Sequence, residues 1–147
     1  MSNSPGGSSI NAVGTVFVPV SDQEQALEFY VERLGFEKRV DFIYGAEQVR
    51  WIEVAPPGAD NTIALVPAEE GTTPASDRTF CAFASSDIEA DHTLIKAAGV
   101  EVDEAIATEG GVRKGLIGLD ATITDPVPAQ FLFRDPDGNR FLIVHSG

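Results

Sequence analysis

Val16-Phe17-Val18-Pro19-Val20-Ser21-Asp22 is the stretch that decides the fold, because its plan returns as Phe80-Cys81-Ala82-Phe83-Ala84-Ser85-Ser86-Asp87. Each copy alternates like a half-buried strand and ends on an aspartate whose carboxylate can accept from the free N–H groups of a first helical turn. After Asp22, apolar Ala26, Leu27, Tyr30, Val31 and Leu34 recur at helical spacing, and Gly35 supplies a stop. After Asp87, Ile88, Leu94, Ile95 and Ala98 do the same, and Gly99 ends the run. The spacing predicts helices over residues 23–34 and 88–98.

Strand-like material follows each helix. In the first half it covers residues 36–43, 48–54 and 62–66, with Pro56-Pro57-Gly58-Ala59-Asp60-Asn61 as the turn before the last strand. In the second half it covers 100–102, an irregular stretch, 130–134 and 139–145. Asp135-Pro136-Asp137-Gly138-Asn139 reads as a hairpin turn, since Pro presets φ and Gly or Asn accepts positive φ. The expectation is an α+β fold of two βαβββ modules. They form a curved, mostly antiparallel eight-stranded sheet around a groove, with one helix per module on the outer face. Module one spans about residues 11–67, a Pro/Thr/Ser-rich linker 68–78, and module two about 79–146, in a single domain over 11–147. Residues 1–10 are expected to be a disordered tail, lacking the charge and apolar run of a secretory signal.

At 147 residues the chain is long enough to bury roughly 70% of its unfolded surface. Apolar residues are 43% and charged residues 22%, and no run reaches the about 20 apolar residues of a membrane helix. The net charge of −13 disfavours nucleic acid and anionic membrane as partners, since both are bound through clustered Lys and Arg. Cys81 is the sole cysteine, which excludes an internal disulfide and fits a reducing, cytoplasmic setting.

The chain resembles the vicinal oxygen chelate superfamily, which includes glyoxalase I, extradiol dioxygenases, methylmalonyl-CoA epimerase and the bleomycin-resistance proteins. The residues that carry the resemblance are Val20-Ser21-Asp22 with Ala26 and Phe29-Tyr30, then Leu34-Gly35-Phe36, and Phe133-Arg134-Asp135-Pro136-Asp137-Gly138-Asn139-Arg140. It extends from about Asn11 to His145. The resemblance implies a divalent metal held by four side chains, whose positions fall here at Thr15, Ala64, Phe80 and Leu142. Three of these have no donor atom, and such sites want several His nitrogens or carboxylate oxygens. No metal and no other cofactor is therefore expected, and catalysis of the family's kind is disfavoured. His92 reads as a solvated residue of the second helix and His145 as a strand end. Cys81 reads as packing between sheet and helix. The resemblance also implies a homodimer, because the family commonly completes its grooves by pairing modules.

Strand parity describes the groove without the family. Val16, Val18 and Val20 form a helix-facing row, which leaves Thr15, Phe17 and Pro19 on the open face. By the same alternation Trp51, Glu53, Thr62, Ala64 and Val66 face the groove, joined in module two by Phe80, Ala82, Ala84, Leu142 and Val144. The expected ligand-binding residues are Thr15, Phe17, Trp51, Glu53, Ala64, Phe80 and Leu142, with no catalytic or metal-binding residue. Tyr44 and Arg50 are placed at the rim, and residues 110–128 read equally as a flap or a surface insertion. An apolar lining with one carboxylate suits a small hydrophobic or aromatic molecule, and a cation would gain from Glu53. The leading reading is metal-independent binding of such a molecule, as in bleomycin-resistance-type sequestering proteins. Two alternatives stand beside it: a glyoxalase-like lyase, isomerase or dioxygenase with an altered site centred on Glu53, and a non-catalytic module whose groove is filled.

Overall fold

Val at every second position builds β1 (Thr15–Val20), whose Val18 and Val20 are fully buried while Phe17, on the other parity, is 58% exposed. Asp22 then caps α1 (Gln23–Leu27), its Oδ1 accepting from the Glu24 and Gln25 amides at 3.0 and 3.1 Å. The helix continues as a π-helical segment over Glu28–Arg33, where the Leu34 amide donates to Phe29 O at 3.1 Å. The apolar spacing announces the helix but not this wider turn. Over so short a stretch both helix types keep Phe29 and Tyr30 on the buried side. Gly35 ends the run at φ +78, the left-handed conformation that lets the chain reverse into β2 (Glu37–Tyr44). β3 (Val49–Ala55) and β4 (Thr62–Pro67) complete the module.

The second module repeats the plan with β5 (Thr79–Ser85), α2 (Ile88–Ala97) capped by Asp87, the two-residue β6 (Glu101–Val102), β9 (Gln130–Arg134) and β10 (Arg140–His145). A small pair of two-residue strands, β7 (Val112–Arg113) and β8 (Ala121–Thr122), intervenes. The computed structural model describes residues 8–68, 79–107, 112–113, 121–122 and 128–146. Most of the expected tail (1–10) and linker (68–78), and the bulk of the 110–128 segment, lie outside the described residues.

Each module forms a four-stranded mixed sheet, ordered β1-β4-β3-β2 and β5-β10-β9-β6. The first and last strands of each module run parallel, and the remaining pairs are antiparallel. The two sheets meet along β1 and β5, which gives the two-module, eight-stranded arrangement. Val18, Val20, Ile52, Val54, Ile63 and Leu65 of the first sheet join Phe131, Phe133, Phe141 and Ile143 of the second in one core, closed by Phe29, Tyr30, Ile88 and Ile95 from the helices. Ring contacts run through it: Phe133 stacks on Phe141 at 5.4 Å between centroids, and Phe36 meets Phe83 edge-on at 5.3 Å, carrying the core from one module to the other.

The segment Asp135–Asn139 does more than turn the chain. The Asp135 carboxylate accepts from the amides of Asp137 (3.0 Å) and Asn139 (2.9 Å), and from Asn139 Nδ2 at 2.9 Å. Asn139 Nδ2 also donates to Pro19 O of β1 at 2.8 Å, and the Ser21 amide donates to Asp137 Oδ1 at 3.2 Å. The Tyr30 hydroxyl closes the set by donating to Asp135 Oδ2. These motif residues latch the turn of module two onto the first strand and helix of module one.

Two expectations need correction. His92 is half-buried rather than solvated: its Nε2 lies 2.8 Å from Asp103 O and its ring meets Phe131 edge-on at 4.9 Å. Arg50 faces the helix layer rather than the groove rim. It grips Asp41 with two bonds of 2.9 Å and also contacts Glu24 of α1. The guanidinium holds the Asp41 carboxyl well below the usual carboxylate range, and the two carboxylates raise the Arg50 pKa in turn. The Arg50 backbone is pinned as well, because Gln23 Nε2 donates to both Arg50 O and Leu65 O at 2.9 Å.

Candidate ligand-binding site

On the face of the first sheet away from Arg50, register brings together residues from all four strands. Thr15 pairs with Thr62 and Phe17 with Ala64 across β1 and β4; Ala64 pairs with Glu53 of β3, and Trp51 pairs with Phe42 of β2. The Trp51 ring is met edge-on by Phe17 at 5.6 Å and by Tyr44 at 6.4 Å, and Phe42 lies 5.9 Å from Tyr44. Four aromatic side chains thus form a continuous surface. Phe17, Phe42 and Tyr44 are exposed and Trp51 is half-buried.

A polar chain runs beside the rings. Trp51 Nε1 donates to Glu53 Oε2 at 2.7 Å and the Thr62 hydroxyl donates to Glu53 Oε1 at 2.6 Å. The hydroxyls of Thr62 and Thr15 lie 2.9 Å apart. Glu53 therefore fixes the plane of the indole while its carboxylate stays at the surface of the face. Ala64, also among the expected contact residues, is fully buried beneath its neighbours, so a molecule on this face meets Phe17 and Glu53 first.

Phe80 and Leu142, the remaining expected residues, belong to the second sheet. A register irregularity between β5 and β10 lies at this point, and the Phe80 ring sits 6.2 Å from that of core residue Phe141. Leu142 is half-buried and in register with Ala82 and Leu132. Hydrogen bonds and ring contacts join Thr15, Phe17, Trp51 and Glu53 into one cluster, while Phe80 and Leu142 belong to the second sheet. Sequence reasoning missed Phe42 and left Tyr44 at the rim. Val40-Asp41-Phe42-Ile43-Tyr44 has apolar residues on both parities, so alternation carries no sign there. The register shift between Lys38 and Val40 then sets which of them face the groove.

The four positions of the family's metal do not fit a divalent ion. Ala64, Phe80 and Leu142 have no donor atom, and the Thr15 hydroxyl is engaged with Thr62. Among the described residues no group of three His, Cys, Asp or Glu side chains could hold a metal. Cys81 is half-buried, and burial pushes its thiol up to about 11, far from the range of an activated nucleophile. Among the described residues no helix is long and apolar enough to cross a membrane.

Two modules of this topology, latched at Asp135–Asn139, are the architecture of a known superfamily. The chain belongs to the glyoxalase/bleomycin resistance protein/dioxygenase superfamily, whose model matches residues 12–143. It is 31% identical over 135 residues to the uncharacterized protein YetH of Bacillus subtilis (strain 168), covering 91% of this chain and 98% of that one. Among solved structures it is similar to TnmS3, described as an antibiotic binding protein from Streptomyces sp. CB03234, at 32% identity and a TM-score of 0.72. That match covers 96% of this chain and 100% of TnmS3. A superfamily member from Sphaerobacter thermophilus DSM 20745 matches at 29% identity and a TM-score of 0.71, covering 93% of this chain and 98% of the other.

Proposed function

We propose that this protein binds a small hydrophobic or aromatic molecule on the concave face of its first module, without a metal, and holds it rather than transforming it. The observation that carries this reading is the aromatic surface of Phe17, Phe42, Tyr44 and Trp51 laid beside the Glu53 carboxylate. Rigid rings next to one placed charge are what a planar ligand needs for stacking and orientation, and a cationic ligand gains further from Glu53. The likeness to TnmS3, an antibiotic binding protein, supports the same reading. The exposure of Phe17, Phe42 and Tyr44 supports an open face over a filled one. The site works in the cytoplasm and within a homodimer.

A thermal-shift screen of planar aromatic antibiotics and amines tests this, because a ligand of the folded state raises the melting temperature by mass action. Trp51→Ala should weaken a confirmed ligand at least roughly fivefold, the usual cost of removing one aromatic contact. Chelation with EDTA should leave the affinity unchanged. A ligand that binds Trp51→Ala as tightly as wild type, or that is lost on chelation, would overturn the proposal.

A further inference from the structure

The hydrogens along the chain Thr15, Thr62, Glu53 and Trp51 have only one self-consistent arrangement. An indole N–H can only donate and an ionised carboxylate can only accept, so Trp51 Nε1 gives its hydrogen to Glu53 Oε2. Thr62 has a single hydroxyl hydrogen, and it is given to Glu53 Oε1 at 2.6 Å. At the 2.9 Å contact with Thr15, Thr62 has none left, so Thr15 is the donor. The chain then runs one way, from Thr15 through Thr62 to Glu53, with Trp51 feeding the other carboxylate oxygen. Its open positions are the free lone pairs of Thr15 Oγ1 and of Glu53, and all of them accept.

From this we infer that the polar chain beside the rings selects ligands by hydrogen-bond direction: at Thr15 and Glu53 it favours planar aromatic molecules bearing an N–H or O–H donor over those that offer only an acceptor. The inference rests on the reading of this face as the ligand site and names the ligand's chemistry there. Charge attraction to Glu53 would favour cations alone. Donor counting also favours neutral donors over neutral acceptors, which charge cannot do. The penalty for an acceptor is the loss of hydration from two like lone pairs that then face each other without a hydrogen between them.

Glu53 is the residue that sets this direction. In Glu53→Gln the Trp51 N–H still requires an acceptor, so the amide oxygen takes the Oε2 position and the amide NH2 is left facing Thr62. Thr62 must then accept from the amide and turn its own hydrogen to Thr15, and the Thr15 hydrogen points outward. The chain reverses, and the face offers donors.

Indole and quinoline separate the cases. Both are planar fused bicycles, neutral at neutral pH; the first has one N–H donor and the second one acceptor nitrogen. Calorimetric titration of wild type should show indole bound about tenfold more tightly than quinoline, the scale of one unmade hydrogen bond. Glu53→Gln should lower that ratio to about one or below, and Thr15→Val, which removes the terminal acceptor, should weaken indole and spare quinoline. Trp51→Ala should weaken both. Equal binding of the two probes by wild type, or a ratio untouched by both Glu53→Gln and Thr15→Val, overturns the inference; the binding face itself still stands if Trp51→Ala weakens both. Indifference of both probes to Trp51→Ala, or no measurable binding of either, overturns the face and the inference together.

Discussion

The Tyr30 hydroxyl donates to Asp135 Oδ2 at 2.7 Å, joining the first helix of one module to the closing turn of the other across 105 residues of sequence. Tyr30 is fully buried and Asp135 nearly so. Burial raises the Asp135 carboxyl above its ordinary 3.8, opposed by the hydrogen bonds from Asn139 and Tyr30, and burial likewise raises the Tyr30 phenol. An acid whose pKa is higher folded than unfolded stabilises the fold most below the unfolded value, and that contribution is lost as pH rises through the folded value. Tyr30→Phe removes one donor that holds the ionised form. The expected loss is about 1–3 kcal/mol at neutral pH and less below the ordinary carboxyl pKa, where the acid is protonated in both states. Urea unfolding at the two pH values measures it. An equal loss at both would mean that the hydroxyl does not act through the charged carboxylate.

The Arg50 and Asp41 pair carries the opposite sign. Asp41 is held below its ordinary 3.8 chiefly by the hydrogen bonds from Arg50, so its contribution is present above that value and fades as pH falls through the depressed one. Both side chains remain partly in solvent, at 27% and 20% exposure, which screens the pair. Arg50→Ala should therefore cost only about 0–1 kcal/mol through the lost charge pairing, and less in high salt. Unfolding measured at low and high ionic strength checks this. A cost of several kcal/mol that ignores salt would place the effect in packing instead.

Most of the architecture was legible because it repeats. Two strand–Asp–helix–Gly segments announced two modules, and Asp22 and Asp87 cap the helices that the spacing predicts. Parity along β1 separated buried Val18 and Val20 from exposed Phe17, since the β-branched Val recurs there at every second position. β2 was not legible: both of its parities are apolar around Phe42, and a backbone irregularity near Arg39 resets the phase. Nor could sequence show that Arg50 faces α1, because its partners Glu24 and Asp41 come from separate elements. The motif at Asp135–Asn139 looked like a turn because its latch partners, Pro19 and Tyr30, lie more than a hundred residues away.

Cys81 should react slowly. With its pKa raised from 9.0 to about 11 by burial, the thiolate fraction near neutral pH falls about 100-fold below that of a free thiol, and the thiolate is the reactive species. Alkylation by iodoacetamide, followed by mass spectrometry, should therefore be at least about 100-fold slower in the folded protein than in urea. Labelling at the unfolded rate would contradict the burial of this side chain.

The last expectation concerns assembly. β2 is the edge of the first sheet and presents Phe42, Ile43 and Tyr44, with Ile43 59% and Phe42 51% exposed. Long apolar edges invite pairing with another chain, and a soluble monomer usually blunts them with charge or proline. Here the charges lie earlier in the strand, at Glu37, Lys38 and Arg39, where the last two are engaged with Asp41 and Glu37. A second copy laid against this edge would bury the apolar row and wall the aromatic face beside it. Light scattering at micromolar concentration should give about twice the 15.6 kDa chain mass. Ile43→Glu puts a charge at the centre of that row without touching Trp51 or Glu53, and should shift the population toward monomer. A wild-type mass near that of one chain would contradict the dimer. A dimer unaffected by Ile43→Glu would place the interface on another edge.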